Sequence, residues 1–546
     1  MLLAVLLFAG CPWKHRKADL ILKNGFFFTG NPLKSGVEMV AIRGNRIIGL
    51  GRTEDAKRYQ SPQTRVIDLR GKFGCAGFND AHLHLLYAGQ SLEEVDLTGV
   101  TGIHDLQRRI LEKAWKIPWG SWIIGGGWDQ NQFPNGEWPT KRALDDIAPD
   151  FPMVLRRVCG HAVLVNSKVL AIAGITAKTP DPAAGEIMRD PVTGEPTGVL
   201  KEDAVKLVSQ YMPAATEESI SRSIERALEE AKRFGVTSVQ DFSAAEAYQV
   251  YRRLLGEGRL TARISCWMPL DSDPSVVLER KTETRSRMLR VGCLKGILDG
   301  SMGARTAALN APYSDDSTAR GLNLYTQDRL NELVLLADRH RLQVALHAIG
   351  DRAIRMGLTS LELAQKINGQ RESRHRIEHA QVLAPSDFEA FKSLGVIASM
   401  QPAHCIYDLP WAESRLGPVR SEGAYAWKSV LDAGGRLAFG SDWPVVPLNP
   451  LIGIYAAVTR SDTAGQPGGG WYPRQRLTVE EAITAYTLGS AYAEFMEHEL
   501  GSLEQGKLAD LVVLNRNLLT VHPADILRAR VVYTIVDGKI VYEEDP

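Results

Sequence analysis

The chain has 546 residues, 44% hydrophobic and 23% charged, which is ordinary globular composition for one large domain with attachments or for two or three domains. Sixty-four Lys and Arg balance sixty-four Asp and Glu, so no net field gathers nucleic acid or an anionic membrane. A small neutral substrate suits that balance better than a polyanion.

The chain opens on MLLAVLLFAGC, apolar with small residues at Ala9 and Gly10. Residues 1–17 resemble the tail of a bacterial lipoprotein export signal, with Cys11 as the lipidated residue. The run is shorter than the roughly 20 apolar residues that span a bilayer, and it lacks a basic n-region. A start placed too far downstream explains both defects. A cytoplasmic location and an exported, lipid-anchored one therefore both stay open. The other five cysteines form no CxxC pair and read as buried small hydrophobes.

From Ala18 the text becomes short strands, ADLILKNGFFFTG, MVAIRGNRIIGLG and TRVIDLRGKFGCAG, broken by NG, GN and RG turns. The far end repeats the texture in GKLADLVVLNRN and VVYTIVDGKIVYE. One composite β-sandwich from residues 18–75 and 495–546 is the expectation. Between them, apolar strands alternate with helical stretches, the pattern of parallel βαβ units. Candidate strands fall at 73–79, 237–242, 262–268, 293–298, 343–347, 376–379, 396–401 and 436–441. Eight strands are what a (β/α)8 barrel needs, and residues 76–494 are assigned to it. The gap after the first strand is too long for one helix, so an insertion is expected at about 115–215.

Asp80-Ala81-His82-Leu83-His84 closes the first strand. Residues two apart on a strand share a face, so His82 and His84 aim together into the barrel mouth and suit a metal ion. Alone, HxH is a weak signal. It gains weight because Lys295, His347, His379 and Asp442 recur near the C-terminal ends of later strands, the face where such barrels carry their sites. Apolar runs such as VAL and LAF that end in His or Asp make poor core layers, since buried charge is costly unless paired or bound to metal.

These residues, with GWDQNQFP (127–134), CGHAVLVNS (159–167), LKGILDGSMGARTAAL (294–309), HAIGDRA (347–353), IEHAQ (377–381), GSDWPV (440–445) and ELGSLEQGKLADLVVLN (499–515), resemble the amidohydrolase superfamily over about 18–545. The likeness is to the amidohydrolase-3 branch, which includes N-substituted formamide deformylases. It implies a TIM barrel and two divalent ions, zinc first, with manganese, cobalt or iron as alternatives. By the same likeness His82, His84 and Asp442 hold one ion, and His347 and His379 hold the other. Lys295, as a carbamate made with carbon dioxide, bridges the two. A hydroxide shared by the metals attacks a carbonyl, and Asp442 carries its proton to the leaving amine.

The implied activity is hydrolysis of a non-peptide C–N bond in an N-acyl amine, formamide or similar amide. Ester or carbamate hydrolysis at the same site is the alternative, and an inactive binding scaffold the less favoured one. Deaminases of this superfamily usually lack the strand-four lysine, so Lys295 argues against deamination. His161 is a further catalytic and substrate-facing candidate. Trp128, Asp129, Asn131, Arg305 and Gln401 are candidates for lining the pocket, with Arg305 meeting either a substrate oxygen or Asp299. His404 is expected to face the pocket, and Glu202 and Glu378 to play supporting roles. Oligomeric state is unreadable from the sequence; a homodimer is the commonest default.

Overall fold

The computed structural model describes residues 17–33, 36–134, 136–157, 162–182, 185–214, 216–243, 245–284 and 286–545. These form two compact units: one from the chain up to Leu85 and from Ala227 onward, the other spanning Leu86–Arg226. The export-signal and Cys11 readings lie outside the described residues. Cys75, Cys266, Cys293 and Cys405 are buried free thiols, as small hydrophobes should be. No helix among the described residues is long and apolar enough to cross a membrane.

The first unit holds a (β/α)8 barrel. Its strands are β1 (Phe78–Leu83), β2 (Val236–Asp241), β3 (Arg263–Pro269), β4 (Leu289–Ile297), β5 (Val344–Ala348), β6 (Arg376–His379), β7 (Ile397–Met400) and β8 (Arg436–Phe439). They lie in one sheet in chain order, and each pairs in parallel with the next. Nearly every strand residue is buried, as expected of parallel strands covered on both faces. Helices such as Gln327–Arg339 cover the sheet with one apolar stripe, here Leu330, Leu333, Val334 and Ala337. The seam between β8 and β1 closes beyond their ends. There Asp442 N–H donates to the His82 carbonyl at 2.7 Å, and His84 N–H donates to the Trp443 carbonyl at 2.9 Å.

The expected first strand, 73–79, is in fact two. Phe73–Ala76 pairs antiparallel with Leu511–Leu514 in the sandwich, and only Phe78–Leu83 belongs to the barrel. Gly77 marks the break: a Cβ there would sit 2.2 Å from the Thr237 side chain. Continuous hydrophobicity across the break hid it from the sequence.

The sandwich itself is assembled from both termini. One sheet orders Arg46–Gly51, Met39–Arg43, Leu20–Lys23 and Arg65–Asp68. The other orders Lys539–Glu543, Val531–Val536, Leu511–Leu514, Phe73–Ala76, Phe26–Phe28 and Gly36–Val37. Leu22, Val40, Ile42, Val513 and Ile535 share the core between them. Arg263, at the start of β3, fastens this sandwich to the barrel. Its guanidinium is buried and donates to both Asp510 oxygens, at 2.7 and 2.9 Å, and to Asp537 at 2.9 Å. Removing one partner of such a buried pair strands the other charge. Arg263→Ala is therefore expected to cost about 3–5 kcal/mol in a urea-unfolding measurement. A change under about 1 kcal/mol, typical of exposed pairs, would refute this reading of the joint.

The second unit is larger than the 115–215 expected. Its six-stranded sheet runs Gly185–Arg189, Pro196–Glu202, Ala162–Val165, Met153–Arg157, Ile123–Trp128 and Val95–Asp96. The helix Ile103–Ala114 belongs to it as well, because Leu106 and Ile110 pack in the same core as Trp128 and Leu155.

Candidate metal centre

The C-terminal ends of the barrel strands bring His82, His84, Lys295, His347, His379 and Asp442 together. His82 and His84 come from β1 and the residue after it; Lys295 lies within β4, His347 in β5, and His379 ends β6. Asp442 follows β8. His379 and Asp442 both stand in left-handed backbone, at φ +68° and +62°. A non-glycine residue there costs of the order of 1–3 kcal/mol, and such strain concentrates at functional sites. Next to Asp442, Gly440 allows the seam to close, since a Cβ on it would lie 2.5 Å from the His82 nitrogen.

One donor atom each from His82, His379 and Asp442 lies within 4.8 Å of the others, and all three residues are buried. Asp442 Oδ1 is 3.1 Å from His84 Nε2 and 3.5 Å from His82 Nε2, while Oδ2 is 3.5 Å from His404 Nε2. His84 Nδ1–H donates to the Phe242 carbonyl at 2.5 Å, so Nε2 presents its lone pair to the carboxylate. Two acceptors at that distance call for a cation between them. With protein atoms alone a proton does that work: burial opposes it, but Asp442 prevails and raises the His84 pKa. Burial also works against the Asp442 carboxylate, yet the His84 hydrogen bond and the surrounding imidazoles hold its pKa far below the usual range.

The supporting shell fits the same purpose. His82 Nδ1–H donates to Glu378 Oε2 at 2.6 Å, which turns Nε2 inward. Burial and the neighbouring Lys295 lower the His82 pKa to about 4, so the ring is neutral, as a metal ligand must be. Burial alone would raise the Glu378 pKa, but the Arg376 guanidinium at 2.7 Å and His82 hold it near 2. Asp80, buried one strand turn before His82, accepts from Ser441 N–H at 3.0 Å and His82 N–H at 3.1 Å, locking both sides of the seam. Glu378→Gln should weaken metal binding about 10–100-fold, the usual loss when a supporting hydrogen bond to a histidine ligand is changed. A competition titration with a chromogenic chelator measures it; unchanged affinity would remove Glu378 from the centre.

Among the described residues His379 Nδ1 and His404 Nε2 are buried without a hydrogen-bond partner, and His404 Nε2 stands 3.5 Å from Asp442 Oδ2. Buried polar nitrogens are costly when unsatisfied, and an unpartnered His379 nitrogen within this cluster fits a bound cation. Imidazole and carboxylate donors suit zinc and its first-row neighbours. Lys295 Nζ lies 3.2 Å from His82 Nε2 and beside the Phe242 and Trp267 rings, at 5.9 and 5.6 Å. Burial draws its pKa down to about 8. The His347 ring stands 4.4 Å from that of His379, but its Nε2 turns to the Gly300 carbonyl at 3.2 Å and Asp299 at 3.4 Å.

The remaining candidates make contacts of their own. Trp128 is fully buried in the core of its own unit: a bulge at Gly127, at φ +97°, turns it to the same side as Ile123, and its Nε1–H donates to the Leu155 carbonyl at 2.8 Å. Asp129 pairs with Arg157 at 2.7 Å, and Asn131 lies in the short turn Gln130–Gln132. His161 lies outside the described residues. Arg305 meets Asp315, at 3.1 and 2.9 Å, in place of Asp299, whose carboxylate instead accepts from Ala308, Ile349 and Gly350 N–H groups. Gln401 is buried just after β7, and its side-chain amide donates to the Ser399 carbonyl at 3.4 Å. Asp80 carried only one sequence signal, its place two residues before His82 in the same strand.

A family model described as the amidohydrolase family matches residues 65–542. Protein LONG AFTER FAR-RED 3 of Arabidopsis thaliana is 35% identical over 540 residues, covering 96% of this chain and 92% of its own. N-substituted formamide deformylase of Arthrobacter pascens is 28% identical, covering 96% of this chain and 98% of its own. Among solved structures, a metal-dependent hydrolase from Pyrococcus furiosus shares the fold at a TM-score of 0.75 and 32% identity, covering 92% of this chain and 100% of that one.

Proposed function

The chain belongs to the amidohydrolase family and is a metal-dependent hydrolase; from that premise we propose that it cleaves a non-peptide C–N bond of a small amide, such as an N-acyl amine or formamide. The observation that carries the reading is the buried Asp442 carboxylate facing His84, His82 and His404 across 3.1–3.5 Å. His82, His84 and Asp442 are the proposed ligands of one divalent ion, His347 and His379 those of a second, with Lys295 as a carbamate between them. Divalent ions held by these residues would supply Lewis acidity towards a carbonyl and a water acidified towards neutral pH.

The protein's own part is proton handling and positioning. Asp442, kept ionised, takes the proton of the attacking water and returns it to the leaving nitrogen, so that the amine departs neutral. His404 Nε2, buried and beside Asp442 Oδ2, is placed to donate to the developing oxyanion or steady the carboxylate. Glu378 and Phe242 fix the tautomers of His82 and His84, so their Nε2 atoms stay ligands. Trp267, packed at 5.5 Å from the His82 ring, keeps water from the back of the site. His161 is proposed as a further substrate contact. The N-substituted formamide deformylase relative supports formamides as the first substrate class to try.

The test is turnover by the metal-loaded protein on parallel panels of N-substituted formamides, N-acyl amines, esters and aminopurines. Release of amine from the first two supports the proposal. Turnover of esters alone, or ammonia release from aminopurines alone, would overturn it.

A further inference from the structure

At the opposite end of the barrel from the metal ligands, a cavity of about 510 Å³ opens among the N-terminal ends of β3 to β6. This face of such barrels ordinarily serves stability, but the residues here are a poor choice for that purpose. Lys281, Arg290, Arg341 and Arg371 all line the cavity, together with the Ser265 and Ser373 hydroxyls. Arg290 is matched by Glu494 at 2.5 Å, and Arg371 by Asp338 at 2.6 Å. Glu372, the other carboxylate of the wall, is taken up by Arg374 at 2.5 Å. Among the described residues neither Lys281 nor Arg341 has a carboxylate partner. Two positive charges thus face the cavity uncompensated.

Lys281 is the more telling of the two. It sits half-buried near the end of the helix Pro274–Glu283. Burial lowers its pKa, and the Arg290 and Arg371 charges push the same way. An ammonium placed among like charges destabilises the fold unless something anionic joins it. Hydroxyls beside paired cations are the usual surroundings of an oxyanion, because charge-assisted hydrogen bonds to phosphate are strong and directional.

We propose that this cavity binds a phosphorylated small molecule, with its phosphate dianion set between Lys281 and Arg341. Two uncompensated charges match a dianion better than a single carboxylate, and the volume leaves room for an organic remainder. The site is separate from the hydrolytic centre and does not depend on which bond that centre cleaves.

Calorimetric titration of the metal-loaded enzyme with inorganic phosphate, and separately with phenyl phosphate, tests it. Saturable binding is expected, weakened roughly tenfold or more in Lys281→Met and in Arg341→Ala, as the loss of a charge-assisted contact implies. Turnover and metal content should not change in either variant. Tighter binding of the monoester identifies a phosphorylated metabolite as the ligand, whereas equal binding identifies free phosphate; both support the site. No saturable binding, or equal affinity in wild type and variants, would overturn it, the latter by placing the anion at the metals. Should Lys281→Met fail to fold, Arg341→Ala on the exposed rim carries the same test alone.

Discussion

Asp442→Ala should lower kcat on the best amide substrate by at least about 10²–10⁴-fold, the range a positioned acid–base group supplies. It should also release metal, because the same carboxylate faces three imidazoles. Asp442→Asn separates the two roles. The amide keeps an oxygen towards His84 but cannot carry a proton, so its metal content should fall less than its kcat. If either variant kept wild-type kcat, Asp442 would be structural and the proton route would have to run elsewhere. The strained φ of +62° offers a check on folding, since asparagine tolerates that backbone better than alanine.

Lys295→Ala should cost at least one of two metal ions and most turnover. The lysine is buried, and its direct polar contacts among the described residues are the two ring nitrogens of His82, at 3.2 and 3.5 Å. Among the described residues an ammonium so placed has no direct carboxylate partner; Glu378 and Asp442 act on it only from beyond contact, and burial outweighs them. As a neutral amine it can add to carbon dioxide, which turns a misplaced cation into an oxygen pair able to bridge two ions. If that is its role, a short carboxylate such as acetate, added to the alanine variant, should restore part of both metal content and turnover by filling the vacated space. Undiminished metal and turnover in Lys295→Ala would sink the carbamate.

Why the site was so legible in the sequence follows from its geometry. Parallel strands buried on both faces read as apolar runs, and a His or Asp at the end of such a run has few structural excuses. That exposed His347, His379 and Asp442, and strand alternation tied His84 to His82. What stayed hidden depended on packing across long sequence distances. Gly77, at the break between two strands, must be glycine because Thr237 leaves no room for a Cβ. The second unit begins near Leu86 because the helix Ile103–Ala114 shares a core with residues far beyond it. Trp128 was a pocket candidate in its Gly-rich setting, yet the bulge at Gly127 turns it into the core beside Ile123. Arg305 found Asp315, ten residues on, in place of Asp299, whose oxygens were already claimed by backbone N–H groups. Where His347 turns could not be read locally either, since its Nε2 contact to Gly300 is set by the loop after β4.

A two-ion centre held by these six residues can be counted by elemental mass spectrometry of the protein purified without chelators. Close to two divalent ions per chain are expected. One ion would demote Lys295 and reopen a single-metal, deaminase-like chemistry. None, even after zinc or manganese is supplied with bicarbonate, would rule out the two-ion centre and leave a binding scaffold in place of an enzyme.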